Sequence, residues 1–222
     1  MIAIQPPVYF PPLAYTALLH HVDHFILADT FPYRRETFQN RSKLRNAQGG
    51  HWIHIPLFGH PEGAALHTVE IETGGRWREK HWRSFKYDYC TTLYFDYYAD
   101  ALRTFFDREW TGLADCTCRS VELQAARFQL DTTLTRASSL EGAPDTHAGI
   151  AAAVDGDVLA VPDGEAPEVS GVQIEPFQYE HPTYHQNFEG FEPGMSAMDL
   201  VMNYGREAIR LLAGGIRSPD AA

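Results

Sequence analysis

A chain that opens with strand, proline-rich loop, helix and strand has few ways to fold, and this one does so within its first 28 residues. Ala3 and Ile4 start an apolar strand that Gln5-Pro6-Pro7 closes, because proline fixes its own φ and has no N–H for a ladder. Val8-Tyr-Phe-Pro-Pro-Leu13 turns the chain, after which Ala14, Leu18 and Val22 recur at the spacing of one helix face. His24-Phe-Ile-Leu-Ala28 then reads as a buried strand closed by Asp29. Parallel strands joined by a crossover helix are right-handed in nearly every case, so the order predicts a right-handed βαβ unit. The expected class is α/β, with a mainly parallel sheet in the N-terminal half and a Rossmann-like start.

The rest of the chain supplies the cover. Residues 30–50 have no clean period and read as a functional loop with at most a short element near Lys43. Trp52–Leu57 and His67–Glu72 alternate and predict two further strands. From Trp77 the period becomes helical: Tyr98, Leu102, Phe106 and Trp110 share a face, as do Val121, Ala125 and Phe128. Residues 137–169 form an acidic connector or insertion in which Ala151–Val154 and Val158–Val161 could flank a hairpin turn, and mobility is expected there. A terminal helix is expected over 196–212, with Ser196 and Asp199 as a capping pair and Gly214-Gly215 as its stop. The 222 residues suit a single domain spanning 1–222.

Charge narrows the partners. There are 18 Lys plus Arg against 29 Asp plus Glu, a net charge of −11, which argues against nucleic acid, whose binding rests on clustered cations. No run approaches the length of a membrane span, and Met1–Pro7 has neither a basic n-region nor an apolar h-region, so a cytoplasmic protein without membrane insertion is expected. Cys90, Cys116 and Cys118 lack zinc-site spacing and read as reduced and structural. Residues 137–205 contain twelve acids and no Lys or Arg, which leaves the remainder near neutral. There the cations bunch in Arg34–Arg45 and Arg76–Lys86, chemistry suited to an anionic small molecule.

Four places could carry chemistry, each with a plainer reading beside it. The loop holding Gln5, Tyr9 and Tyr15 lies where strand carboxyl ends and helix N-termini receive ligands; alternatively it is a rigid turn sealing the core. Asn40 and Arg41 stand in the first basic run, near Asp29 and Tyr33, and suit an anionic or sugar-like ligand, though most such runs are solvated surface. Lys80-His81-Trp82-Arg83 gathers cations, a titratable ring and an aromatic into one turn, and could equally be an ion-paired helix start. Tyr184 and Gln186, with Ser196, Asp199 and Asn203, put polar groups around the last helix, where they close the same pocket or only cap the helix. His20, His21, Asp23 and His24 have metal-binding side chains, but His21 falls off the face shared by His20 and His24 and no metal site is assigned. No Gly-x-Gly-x-x-Gly, P-loop, Gly-x-Ser-x-Gly or His-Glu-x-x-His pattern occurs, so no cofactor is named.

In this order the pieces resemble the WbqC-like family, associated with O-antigen and other surface-polysaccharide gene clusters. The resemblance covers nearly the whole chain. It rests on Gln5-Pro6 through Tyr9-Phe10-Pro11 to Tyr15, Asp23 and Asp29 around the second strand, and Gln39-Asn40-Arg41. Trp52 to Pro56, Lys80-His81-Trp82, Tyr184-x-Gln186-x-Phe188, Phe191-x-Pro193 and Ser196-x-x-Asp199 through Gly205 continue it, while Pro12 stands where the pattern has Trp. The resemblance implies transfer of a small acyl or aminoacyl group, glycyl among the candidates, onto a nucleotide- or lipid-linked sugar. In that reading Arg41, Lys80 and Arg83 clamp an anion such as a nucleotide-sugar, His81 takes the proton from the attacking nucleophile, and Asp29 orients it or binds sugar hydroxyls. The alternative is a non-catalytic nucleotide-sugar-binding or scaffold protein of the same pathway. Oligomeric state is open.

Overall fold

A computed structural model describes residues 1–217. The main sheet has six strands in the order β5-β2-β1-β6-β7-β8. These are β1 (Ile2–Gln5), β2 (His24–Leu27), β5 (Thr133–Arg136), β6 (Val158–Pro162), β7 (Gln173–Tyr179) and β8 (Ile216–Arg217); β3 (Arg41–Asn46) and β4 (Gly49–His54) form a separate antiparallel hairpin. All main-sheet pairs are parallel except β7 with β8. The α/β class and the parallel β1-helix-β2 start are as expected, with α1 (Leu13–His21) as the crossover.

Burial on both faces follows from the side-chain alternation. Ala3 of β1 and Phe25 and Leu27 of β2 point into the larger core; Ile2 and Ile4, Ile26 and Ala28, and Leu159 and Val161 point into a smaller one. The larger core is covered by α1, α2 (Trp77–Tyr89), α3 (Phe95–Asp107), α4 (Leu113–Phe128), α6 (Ala197–Tyr204) and α7 (Ala208–Ala213). The smaller is closed by α5 (His147–Ala153), through Ile150 and Ala151.

Four local expectations change, the first being the loop expected over 30–50, the end of which is instead β3, its turn and the start of β4. Trp52–Leu57 and His67–Glu72 do not extend the main sheet: the first ends β4 in the hairpin, and the second is a 3-10 turn (Leu66–Thr68) followed by isolated bridges, Leu57 to Ile71 and Glu70 to Gly112. The alternation of Val69 and Ile71 is met there by packing both, with Leu66 of the turn, into the larger core without a ladder. Where a hairpin was expected in the acidic segment, the chain makes α5 and then β6, which lies between β1 and β7. The terminal helix breaks at Gly205, whose φ of +55° ends α6; a 3-10 turn leads into α7.

Candidate functional site

The opening loop is pulled into the core. Tyr9 and Phe10 are fully buried, and Phe10 adopts φ +41°, a conformation a bulky side chain takes only when its surroundings impose it. Here the Phe10 N–H donates to Ser120 Oγ at 3.0 Å, and the Phe10 carbonyl accepts from Ser42 Oγ at 2.9 Å. These bonds tie the loop to α4 and to β3 at once. Tyr9 meets the next predicted residue directly: its hydroxyl lies 3.0 Å from His81 Nδ1.

His81 lies on the buried side of α2 against Trp77 and Phe106. Burial lowers its pKa to about 3; the His54 backbone opposes this shift, while His54, His51 and Lys80 reinforce it. The ring is therefore neutral near pH 7, and the residue, almost wholly buried, lines a cleft of about 420 Å³ between β4 and α2. Its walls carry His51, Trp52 and His54 from β4 and Arg76, Trp77, Lys80 and Ser84 from α2 and its start. Lys80 and Arg76 are exposed. Arg41 borders the cleft by stacking 4.2 Å above the Trp52 ring, while its Nε donates to the Thr37 carbonyl at 3.2 Å.

One wall residue of the cleft, His51, is paired with a buried carboxylate that the sequence did not single out. His51 Nε2 lies 2.7 Å from Asp88 Oδ2, with Asp88 buried and about a third of the His51 side chain exposed. The carboxylate accepts the Nε2 proton, so Nδ1 is the ring's basic nitrogen. Asp88 is fixed on α2, and its carbonyl accepts from Asn187 Nδ2 at 2.9 Å. No short motif links positions 51 and 88; only the docking of the hairpin on α2 brings them together. A neighbouring hollow of about 290 Å³ also holds arginines, but Arg78 donates to the carbonyls of Asp107 and Arg108, and Arg103 pairs with Asp107.

The other predicted residues have different neighbours. Both Asp29 oxygens accept from Ser138, its N–H at 2.8 Å and its hydroxyl at 2.6 Å, which caps the turn after β5. Asn40 accepts from the Tyr33 hydroxyl and donates to the Ile55 carbonyl. Arg83 pairs with Glu79 one turn earlier on exposed α2. Gln5 ends β1 and donates to Glu165 Oε2 at 2.8 Å; the Tyr15 hydroxyl donates to the Pro6 carbonyl at 3.2 Å. In the metal-like cluster, Asp23 accepts from the amino terminus, His21 faces Glu175, and His24 meets Thr135.

Tyr184 and Gln186 form a buried network with Asp199 and Arg45. Tyr184 donates to Asp199 Oδ2 at 2.8 Å and Gln186 Nε2 to the same oxygen at 3.1 Å; Arg45 Nε donates to Gln186 Oε1 at 3.3 Å. Ser196 caps α6 through the Met198 N–H, whereas the Asp199 carboxyl turns inward. Asp199 Oδ1 has no hydrogen-bond partner among the described residues, and burial raises the Asp199 pKa despite hydrogen bonds that oppose it.

The order of these pieces finds its match in a family model, that of the WbqC-like protein family, over residues 5–211. The chain belongs to the WbqC-like family. A relative from Mycobacterium tuberculosis (strain ATCC 25618 / H37Rv), named "Uncharacterized protein Rv1507c", is 27% identical over 222 residues, covering 93% of this chain and 95% of its own. No solved structure matches the chain significantly. The matched span includes both strands of the cleft hairpin and α2. No helix among the described residues is long and apolar enough to cross a membrane.

Proposed function

We propose that this WbqC-like protein transfers a small acyl or aminoacyl group, glycyl among the candidates, onto a nucleotide- or lipid-linked sugar of a surface-polysaccharide pathway. The cleft between β4 and α2 is the reaction site in this reading. The observation that carries it is His51, backed at 2.7 Å by the buried Asp88, on one concave surface with Lys80 and Arg76, which outnumber Glu72, the single lining acid among the described residues. A transfer of this kind needs an anion clamp and a reachable base. Lys80 and Arg76 hold a phosphate of the donor or acceptor. His51 Nδ1 takes the proton from the attacking hydroxyl or amine as its bond to the acyl carbon forms, and returns that proton to the donor's leaving group as the acyl–leaving-group bond breaks; Asp88 keeps the ring oriented and stabilises the imidazolium between the two steps. His81, which the sequence reading favoured as base, forms the floor: it has a buried ring, a Tyr9 hydrogen bond and a pKa of about 3, leaving it a weak proton acceptor. Asp88 takes the orienting role that the sequence reading gave to Asp29.

The test is product formation by mass spectrometry with acyl and glycyl donors and a panel of nucleotide-sugars. We expect His51→Ala to lower turnover by roughly 10²- to 10⁴-fold, with nucleotide-sugar affinity kept, and Lys80→Ala to weaken binding first. Tight nucleotide-sugar binding with no product from any donor would instead identify a carrier or scaffold of the same pathway.

A further inference from the structure

The cleft is not the only opening this topology creates. From β1 the strand order runs to β2 and β5 on one side and to β6 and β7 on the other. The winding therefore reverses between β1 and β6, and connections that leave such a point in opposite directions open a crevice beyond the carboxyl ends of the two strands. Pro162 widens it, since the last residue of β6 has no N–H to offer β1, and the two strands pair at Ile2↔Leu159, well before their ends. The resulting cavity of about 310 Å³ has Leu18 and Phe177 as buried floor, Tyr15 and Tyr179 as walls, and Gln5 and Asp163 toward the rim.

Its chemistry is unlike that of the cleft. Among the described residues no Lys or Arg lines it, and Asp163 at the rim together with Glu165 beside Gln5 make its mouth acidic. Gln5 spends its amide N–H on Glu165, which fixes the side chain and leaves Oε1 as an acceptor. The Tyr179 hydroxyl is buried and has no hydrogen-bond partner among the described residues, a donor whose desolvation nothing there offsets. Flat aromatic and aliphatic faces surrounded by acceptors and one idle hydroxyl suit a ring with an apolar C–H face and donors on its edge. An acidic mouth favours such a ring when it carries an ammonium and repels a phosphate.

We propose that this cavity binds the ring of an amine-bearing sugar, at a site separate from the cleft. The ring lies against Phe177 and Tyr15, its amine and hydroxyls donate to Asp163 and Gln5, and the Tyr179 hydroxyl bonds to the ring edge. Neither His51 nor Lys80 takes part, so this proposal and the cleft reading fail independently.

Calorimetric titration of the full chain with glucosamine, glucose and glucose 6-phosphate tests it. Glucosamine should bind most tightly, glucose more weakly and glucose 6-phosphate least. Tyr179→Phe should weaken glucosamine by roughly 3- to 10-fold, with the melting temperature of the free protein kept or raised, because the removed hydroxyl is buried at a desolvation cost that no bond among the described residues offsets. Asp163→Asn should bring glucosamine and glucose to similar affinities, and His51→Ala and Lys80→Ala should leave binding unchanged. The proposal is overturned if glucosamine does not bind at millimolar concentration, if glucose 6-phosphate binds as well, or if Tyr179→Phe and Asp163→Asn leave its affinity untouched.

Discussion

His81 and Asp199 show how burial sets charge one residue at a time. The unfolded chain protonates a histidine near its ordinary value of 6.5, whereas native His81 refuses the proton until about pH 3. The unfolded state thus binds more protons through this window, and stability falls as pH falls, by up to about 1.4 kcal/mol per pH unit. Thermal denaturation should show this between about pH 7 and about pH 4, with His81→Gln giving a flatter profile than the parent; an equally steep one would mean that other groups cause the loss. Asp199 runs the other way. Its raised pKa means that the native state holds the proton more tightly than the unfolded chain, so its contribution is greatest at low pH and fades as pH rises. Asp199→Asn removes the buried charge, so any gain in melting temperature should be larger at alkaline than at acid pH. A larger gain in acid would contradict the upward shift that burial gives the Asp199 carboxyl.

Within elements, the instructive case is the terminal helix. Its apolar stripe from Met198 to Leu212 is continuous in the sequence and predicts one helix, yet the chain divides it at Gly205. The cause lies outside the stripe: a Cβ on Gly205 would stand 2.5 Å from the Tyr94 ring, and the +55° φ disfavours any other residue. Gly205→Ala should therefore cost about 1–3 kcal/mol in denaturant unfolding, more than helix propensity alone could return. Ser196→Ala should cost about 1 kcal/mol through the lost α6 cap. Ser196 was legible as a cap because capping is local, but the inward turn of the Asp199 carboxyl was not, since its partners Tyr184 and Gln186 arrive from a separate loop.

For the molecule as a whole, the acidic segment decides the architecture. β6 joins β1 to β7, and Leu159, Val161, Ile150 and Ala151 complete the second core. Deleting residues 137–169 should therefore abolish the cooperative thermal transition seen by circular dichroism rather than trim a loop; a deletion protein that still melts cooperatively would make the segment dispensable. The intact chain should unfold in one transition, because both cores share the strands of one sheet.

The residues alone determined the α/β class, the β1-α1-β2 start, the amphipathic helices beyond Trp77 and the family's motif order, because each depends on neighbours close in sequence. Tertiary structure decided which motif residues face solvent. Tyr9 and His81 meet in the core, Asp29 caps a turn, and Tyr184 and Gln186 hold a buried carboxyl. It also joined His51 to Asp88 and opened the crevice between β1 and β6. Local pattern specifies which face of an element is apolar, but a site is made where elements distant in the chain dock, and that docking rests on nondirectional burial that no short motif encodes.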